Sequence, residues 1–125
     1  MKARILIVDE DEGVRLTIEH VLANAGYQTT SAADDDQVIG LFEQFNPALV
    51  IVDLAAEKRG SLEIIAKLKQ SRPALKIIAI SAGARSGDRN LLKRAKGLGA
   101  EHILFKPFDF EQLAAMVERS CVGQE

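Results

Sequence analysis

Ala48-Leu49-Val50-Ile51-Val52, an unbroken apolar run that ends on Asp53, decides the fold. A continuous run, as opposed to an alternating one, is what a strand covered on both faces requires, and such strands belong to parallel sheets. Three more runs repeat the pattern: Ile5-Leu6-Ile7-Val8, Ile77-Ile78-Ala79-Ile80 and Ile103-Leu104-Phe105. Residues 27–32 form a weaker, more polar fifth. Between them the apolar period changes to that of a helix. Val14, Ile18, Val21, Leu22 and Ala25 share one face, as do Val38, Leu41, Phe42 and Phe45, and then Phe110, Leu113, Ala114 and Val117. Two further helices are less cleanly striped: Leu62, Ile65 and Leu68, then Leu91, Ala95 and Leu98. Gly26 and Gly99 fall just past helix ends, and Asp34-Asp35-Asp36 supplies an N-cap and favourable charge for the second helix. Five strands alternating with five helices predict a (βα)5 doubly wound α/β domain, read as one domain over residues 1–125.

The bulk numbers agree with one globular domain. The chain has 125 residues, 47% of them hydrophobic, which is enough for a packed core. Sixteen basic against eighteen acidic side chains give a net charge of −2, which argues against a dedicated nucleic-acid binder. No apolar run approaches the roughly 20 residues of a membrane span. The Ile5-to-Val8 run is too short for a signal-peptide core. A single cysteine, Cys121, forms no internal disulfide, so the expected location is the cytoplasm.

In an open α/β sheet, ligands bind beyond the carboxyl ends of the strands. Those ends carry Asp9-Glu10, Asp53, Ser81 and Lys106-Pro107, all polar or ionisable residues except the proline, after strands that are almost wholly apolar. Carboxylates converging in one crevice repel each other unless a cation sits among them, and oxygen ligands suit Mg²⁺. A carboxylate held against Mg²⁺ can attack a phosphoryl group and form an acyl phosphate. Asp53 closes the central strand and is the candidate nucleophile, Asp9 and Glu10 are candidate metal holders, and Ser81 and Lys106 supply a hydroxyl and a positive charge.

At these residues the chain resembles the receiver domain of two-component response regulators, from Arg4 to about Ser120. The resemblance is carried by Ile5-Leu6-Ile7-Val8-Asp9-Glu10 with Arg15, Val50-Ile51-Val52-Asp53-Leu54, Ile80-Ser81-Ala82, Leu98-Gly99-Ala100 and Phe105-Lys106-Pro107-Phe108. It implies a flavodoxin-like strand order 2-1-3-4-5, Asp53 as phosphoacceptor, and Mg²⁺ held by Asp9, Glu10, Asp53 and the Ala55 backbone carbonyl. It further implies Ser81 as the switch hydroxyl, Lys106 as the phosphate contact, and a cis bond before Pro107. The implied function is a signalling switch that takes its phosphoryl group from a histidine kinase or phosphotransfer protein and acts on a downstream protein target or effector domain. Enzymatic activity would then be limited to Mg²⁺-dependent self-phosphorylation and self-dephosphorylation. A homodimer through the fourth helix, fifth strand and fifth helix is compatible with the resemblance; direct nucleic-acid or membrane contact is not expected.

Some positions depart from the family pattern. The segment Ala56-Glu57-Lys58-Arg59-Gly60-Ser61 lacks the Met-Pro and Asp-Gly that usually follow the acceptor, and the aromatic switch position is Ile103. Residues 83–90 read as an extended loop, and Glu10 replaces the more frequent Asp. The altered post-acceptor segment and Ile103 favour an alternative reading, a pseudo-receiver that acts as a protein-interaction module independently of phosphate, against which the intact set of Asp9, Glu10, Asp53, Ser81 and Lys106 argues. An aspartyl-phosphate phosphatase on the same fold would need a cap domain, for which no insertion is long enough. His20 and His102 read as solvated or packed residues, and the basic fourth helix (Arg89, Lys93 and Lys96, with Arg85 and Arg94 nearby) as a solvated face.

Overall fold

The apolar runs become β1 (Arg4–Val8), β2 (Gln28–Ala32), β3 (Leu49–Leu54), β4 (Lys76–Ser81) and β5 (His102–Phe105). The helices are α1 (Glu12–Asn24), α2 (Asp35–Phe45), α3 (Gly60–Ser71), α4 (Arg89–Leu98) and α5 (Phe110–Ser120). This computed structural model describes residues 2–54, 60–81 and 89–121. The strands pair in parallel, as the unbroken apolar runs predict, in the order β2-β1-β3-β4-β5 that the family resemblance implies. Ala55, residues 56–59 and most of the 83–90 segment lie outside the described residues. Arg89 and Asn90, read from the sequence as the end of a loop, belong to α4.

Side chains alternate across each strand, and the two sets bury into two separate cores. Leu6, Val8, Val50, Val52, Leu54, Ile77 and Ala79 face α2, α3 and α4, where Val38, Phe42, Leu62, Ile65, Leu68 and Ala95 meet them. Ile5, Ile7, Leu49, Ile51, Ile78, Ile80 and Leu104 face α1 and α5 through Ile18, Leu22, Leu113 and Val117. Three residues expected to be covered are exposed: Leu98, 37%, Phe110, 44%, and Phe105, 46%, the last residue of the edge strand β5. Leu98 lies in the last turn of α4. Phe110 opens α5 directly after its N-cap Asp109, before the helix has turned onto the sheet, and stacks edge-on against Phe108 at 6.4 Å. Among the described residues no helix is long and apolar enough to cross a membrane.

At the amino edge of the sheet a lysine and a glutamate join α3, β4 and β5. Lys69 Nζ donates to Pro73 O at 3.0 Å, Leu75 O at 2.8 Å and Glu101 Oε1 at 2.8 Å. Glu101 Oε2 accepts from Ile77 N at 2.7 Å, while Glu101 N donates to Ile77 O at 3.0 Å. One residue thus satisfies both peptide groups at the start of β4, which fixes the register of the edge strand β5. Burial alone would raise the Glu101 pKa, but the hydrogen bonds from Lys69 and Ile77 outweigh it and hold the carboxyl below its usual range. The Lys69 stem runs where a Cβ on residue 99 would sit: the added atom would lie 2.6 Å from Lys69 Cγ, and Gly99 has φ +125°. Only glycine meets both conditions there.

Two stability changes follow. Gly99→Ala destabilises by about 1–3 kcal/mol through left-handed strain and overlap with a pinned side chain. Glu101→Gln costs about 1–3 kcal/mol at neutral pH. Because the folded pKa is depressed, the parent's advantage over Glu101→Gln is full above the unfolded value of 4.5 and disappears as pH falls through the lowered folded value. Urea unfolding of parent and variant across pH 3 to 7 measures it; a gap that does not narrow in acid would refute the ion-pair account.

Candidate functional site

Strand parity and strand length together place the site. Asp9 continues the Ile5–Ile7 set one residue beyond β1, Asp53 continues Leu49–Ile51, and Lys106 continues Leu104 one residue beyond β5. All three therefore leave the carboxyl edge on the α1–α5 side. Lys106 Nζ donates to Asp53 Oδ2 at 3.0 Å, with Asp53 largely covered and Lys106 more open. Lys106 N donates to Ser81 O at 2.8 Å, which ties the lysine's backbone to β4, and the peptide bond to Pro107 is cis.

β3 extends past the apolar run to Leu54, so Asp53 lies within the strand, paired with Ile80 of β4. Ser81 pairs with Leu54 and is buried, but its parity is that of Ile77 and Ala79, the opposite side of the sheet from Asp53. Glu10 is exposed in the β1–α1 turn. The Ala55 carbonyl lies outside the described residues. The structure thus brings together Asp9, Asp53 and Lys106 and places Ser81 on the neighbouring strand β4, with the parity of the opposite side of the sheet. Among the described residues no group of three His, Cys, Asp or Glu side chains gathers at a spacing that would hold an ion.

Asp9 is the most perturbed group. It is 3% exposed, and its Oδ1 accepts from Asp11 N at 2.9 Å. Asp9 Oδ2 is buried with no donor among the described residues. It belongs to a carboxyl in contact with that of Asp53, a contact that becomes a hydrogen bond only when one of the two carries a proton. Burial, and after it the charge of Asp53, push the Asp9 pKa from 3.8 up to about 6, against the lowering effects of the Asp11 amide and Lys106. A buried carboxylate oxygen without a donor, next to a second carboxylate, suits a hard cation. Mg²⁺ binds through one or two carboxylates with waters completing its shell, so Asp9 and Asp53 fit it.

Other contacts shape the rim. Asp11 caps α1 by accepting from Val14 N at 3.2 Å. Arg15 NH1 donates to Asp9 O at 2.9 Å and Glu10 O at 3.4 Å, contacts that sequence reading did not foresee. Beside Lys106 a groove of about 710 Å³ runs between α1 and the β5–α5 turn, lined by Val14, Thr17, Ile18, Pro107, Phe108 and Phe110. Its wall is mostly apolar, unlike the acidic crevice next to it.

Comparison with known proteins agrees with this layout. The family model for the response regulator receiver domain matches residues 5–118. The chain is 29% identical over 119 residues to sporulation initiation phosphotransferase F of Bacillus subtilis, covering 95% of this chain and 94% of that protein. It is 33% identical over 118 residues to a probable chemotaxis protein CheY of Rhizobium etli, covering 94% and 91%. Among solved structures it superposes on NtrX of Brucella abortus with a TM-score of 0.82 at 27% identity, covering 96% of this chain and 27% of that one. The chain therefore spans nearly all of the two sequence relatives and about a quarter of NtrX.

The buried acid pair sets a stability prediction. A carboxyl whose folded pKa is raised opposes folding once it must ionise, so the Asp9 penalty is small near pH 4 and complete above about pH 6. In chelator-treated buffer, Asp9→Asn raises unfolding free energy by about 1–3 kcal/mol at pH 7.5, and the gain shrinks to nothing near pH 4. Denaturant titration at the two pH values measures it; equal effects at both would show that Asp9 is not electrostatically strained.

Proposed function

From the premise that this chain belongs to the response regulator receiver domain family and is a phosphorylation-dependent switch of two-component signalling, we propose that Asp53 is the residue phosphorylated. The observation that carries this reading is the Lys106–Asp53 contact at 3.0 Å beside the buried Asp9 carboxyl. Asp53 offers a nucleophilic oxygen at the carboxyl end of the central strand. Lys106 offers the charge that balances incoming phosphoryl oxygens.

The donor in this reading is the phosphohistidine of a kinase or phosphotransfer protein. An Asp53 carboxylate oxygen attacks phosphorus, forming the O–P bond as the P–N bond breaks. The departing electron pair stays on the imidazole nitrogen, and because the ring's other nitrogen keeps its proton the leaving group is a neutral imidazole. Asp9 and Asp53, with Glu10 adjacent and the Ala55 carbonyl as the remaining candidate, would hold Mg²⁺. When bound, the metal screens the charge gathered on the transferring oxygens. Ser81 is proposed to hydrogen-bond the phosphorylated state. Its carbonyl already accepts from Lys106 N, so a shift at either residue is felt across the β4–β5 pair. The half-buried Ile103, packed against the α4 side of the core, would take the place of the aromatic in relaying that shift. The acceptor role makes no further catalytic group necessary, and the protein partners remain a donor and a downstream target or effector.

Incubation with Mg²⁺ and radiolabelled acetyl phosphate tests the assignment. Asp53→Asn reduces labelling to background, and Lys106→Ala slows it by about 10²-fold. An Asp53→Asn variant that labels as well as the parent would overturn the acceptor assignment. A parent that neither labels nor binds beryllofluoride would favour the phosphate-independent pseudo-receiver.

A further inference from the structure

The β1–α1 turn carries both acids of the metal-side edge, and its peptide groups are held from several directions. Asp9 N donates to Ala32 O at 3.1 Å, Asp11 N donates to Asp9 Oδ1 at 2.9 Å, and Arg15 N donates to Asp11 O at 2.9 Å. One guanidinium nitrogen of Arg15 reaches the carbonyls of both Asp9 and Glu10. Arg15 is half-buried, one turn into α1, with its side chain folded back over the turn.

We propose that Arg15 is a positioning residue for the cation held at Asp9 and Asp53, acting through the backbone of this turn; the proposal deepens the functional reading above and rests on it. Both hydrogen bonds of the Arg15 side chain among the described residues go to backbone carbonyls. Asp9 Oδ2, which no donor among the described residues reaches, is thereby left to the metal. A guanidinium paired with the acids themselves would compete with the cation for the same oxygens. Bracing the carbonyls orders the turn at no such cost, and partners that orient a ligand from behind typically change metal affinity by about 10–100-fold.

A second effect opposes this one. The positive guanidinium near the site repels Mg²⁺, so removing it would tighten binding if charge outweighed geometry. The direction of change on substitution therefore decides between the two. Both contacts come from the terminal NH1 of Arg15, one bond further from the backbone than a lysine ammonium, so lysine meets the two carbonyls less well.

Calorimetric Mg²⁺ titration of the full chain supplies the test. Arg15→Ala raises the Mg²⁺ dissociation constant about tenfold, Arg15→Lys gives an intermediate value, and acetyl-phosphate labelling at saturating Mg²⁺ returns to the parent rate. In metal-free protein, the Asp11 amide exchanges faster in Arg15→Ala while the amides of β3 keep their protection, which a general loss of stability would not produce. If the parent binds no Mg²⁺, the metal reading of the site itself fails. If the parent binds and Arg15→Ala binds equally or more tightly, the positioning role is overturned. Should Arg15→Ala not fold, Arg15→Lys carries the test, and parental affinity in that variant would overturn the proposal.

Discussion

Two carboxyl groups pressed together at the mouth of an apolar sheet form the constraint on which the rest of the site depends. Asp9 is buried, Asp53 nearly so, and burial together with the charge of Asp53 makes ionisation of Asp9 harder. Water cannot relieve the strain, because Asp9 Oδ2 is closed off from it. Relief comes from Lys106 on Asp53, from the Asp11 amide on Asp9, and on our reading from a divalent cation. On that reading, the uncompensated part of the repulsion is what would make the crevice a receptor for positive charge and, through it, for a phosphoryl group. A site fully satisfied within the protein would have no such appetite.

The sheet makes this pairing unavoidable. Parallel strands with period-two alternation send Asp9, Asp53 and Lys106 to the same side, above the core shared by α1 and α5. Ser81 is sent to the other side, yet its carbonyl fixes Lys106. The two ends of the β4–β5 pair are thus held by different devices: Ser81 with Lys106 at the carboxyl edge, and Glu101 with Ile77 and Lys69 at the amino edge. A strand pinned at its start and loaded at its end is suited to converting a change in charge at Asp53 into movement along β5 and the neighbouring α4.

Much of this was legible before any coordinates. Unbroken apolar runs betray strands covered on both faces, and the residues that interrupt them mark the reactive edge, so Asp9, Asp53, Ser81 and Lys106 stood out. What escaped were contacts set by direction or by distance along the chain. Glu101 and Lys69 are 32 residues apart, and nothing local in either segment signals their bond. Arg15 looks like a polar residue of α1 until its side chain is seen folding back onto carbonyls five and six residues earlier. Apolar stripes placed Leu98 and Phe110 in the core, but both lie at helix ends, where the stripe runs off the sheet. The convergence expected of Asp9, Glu10 and Asp53 shows as contact between Asp9 and Asp53, with Glu10 exposed in a turn whose backbone matters as much as its side chains.

The most direct test of the central claim is chemical mapping of the phosphoryl group. Borohydride reduces an acyl phosphate to an alcohol, so protein phosphorylated by its histidine donor and then reduced carries homoserine wherever the aspartyl phosphate stood. The account predicts homoserine at position 53 and at no other acidic residue when the peptides are sequenced by mass spectrometry. Homoserine at position 9, or phosphorylated protein that yields none at position 53, would contradict it.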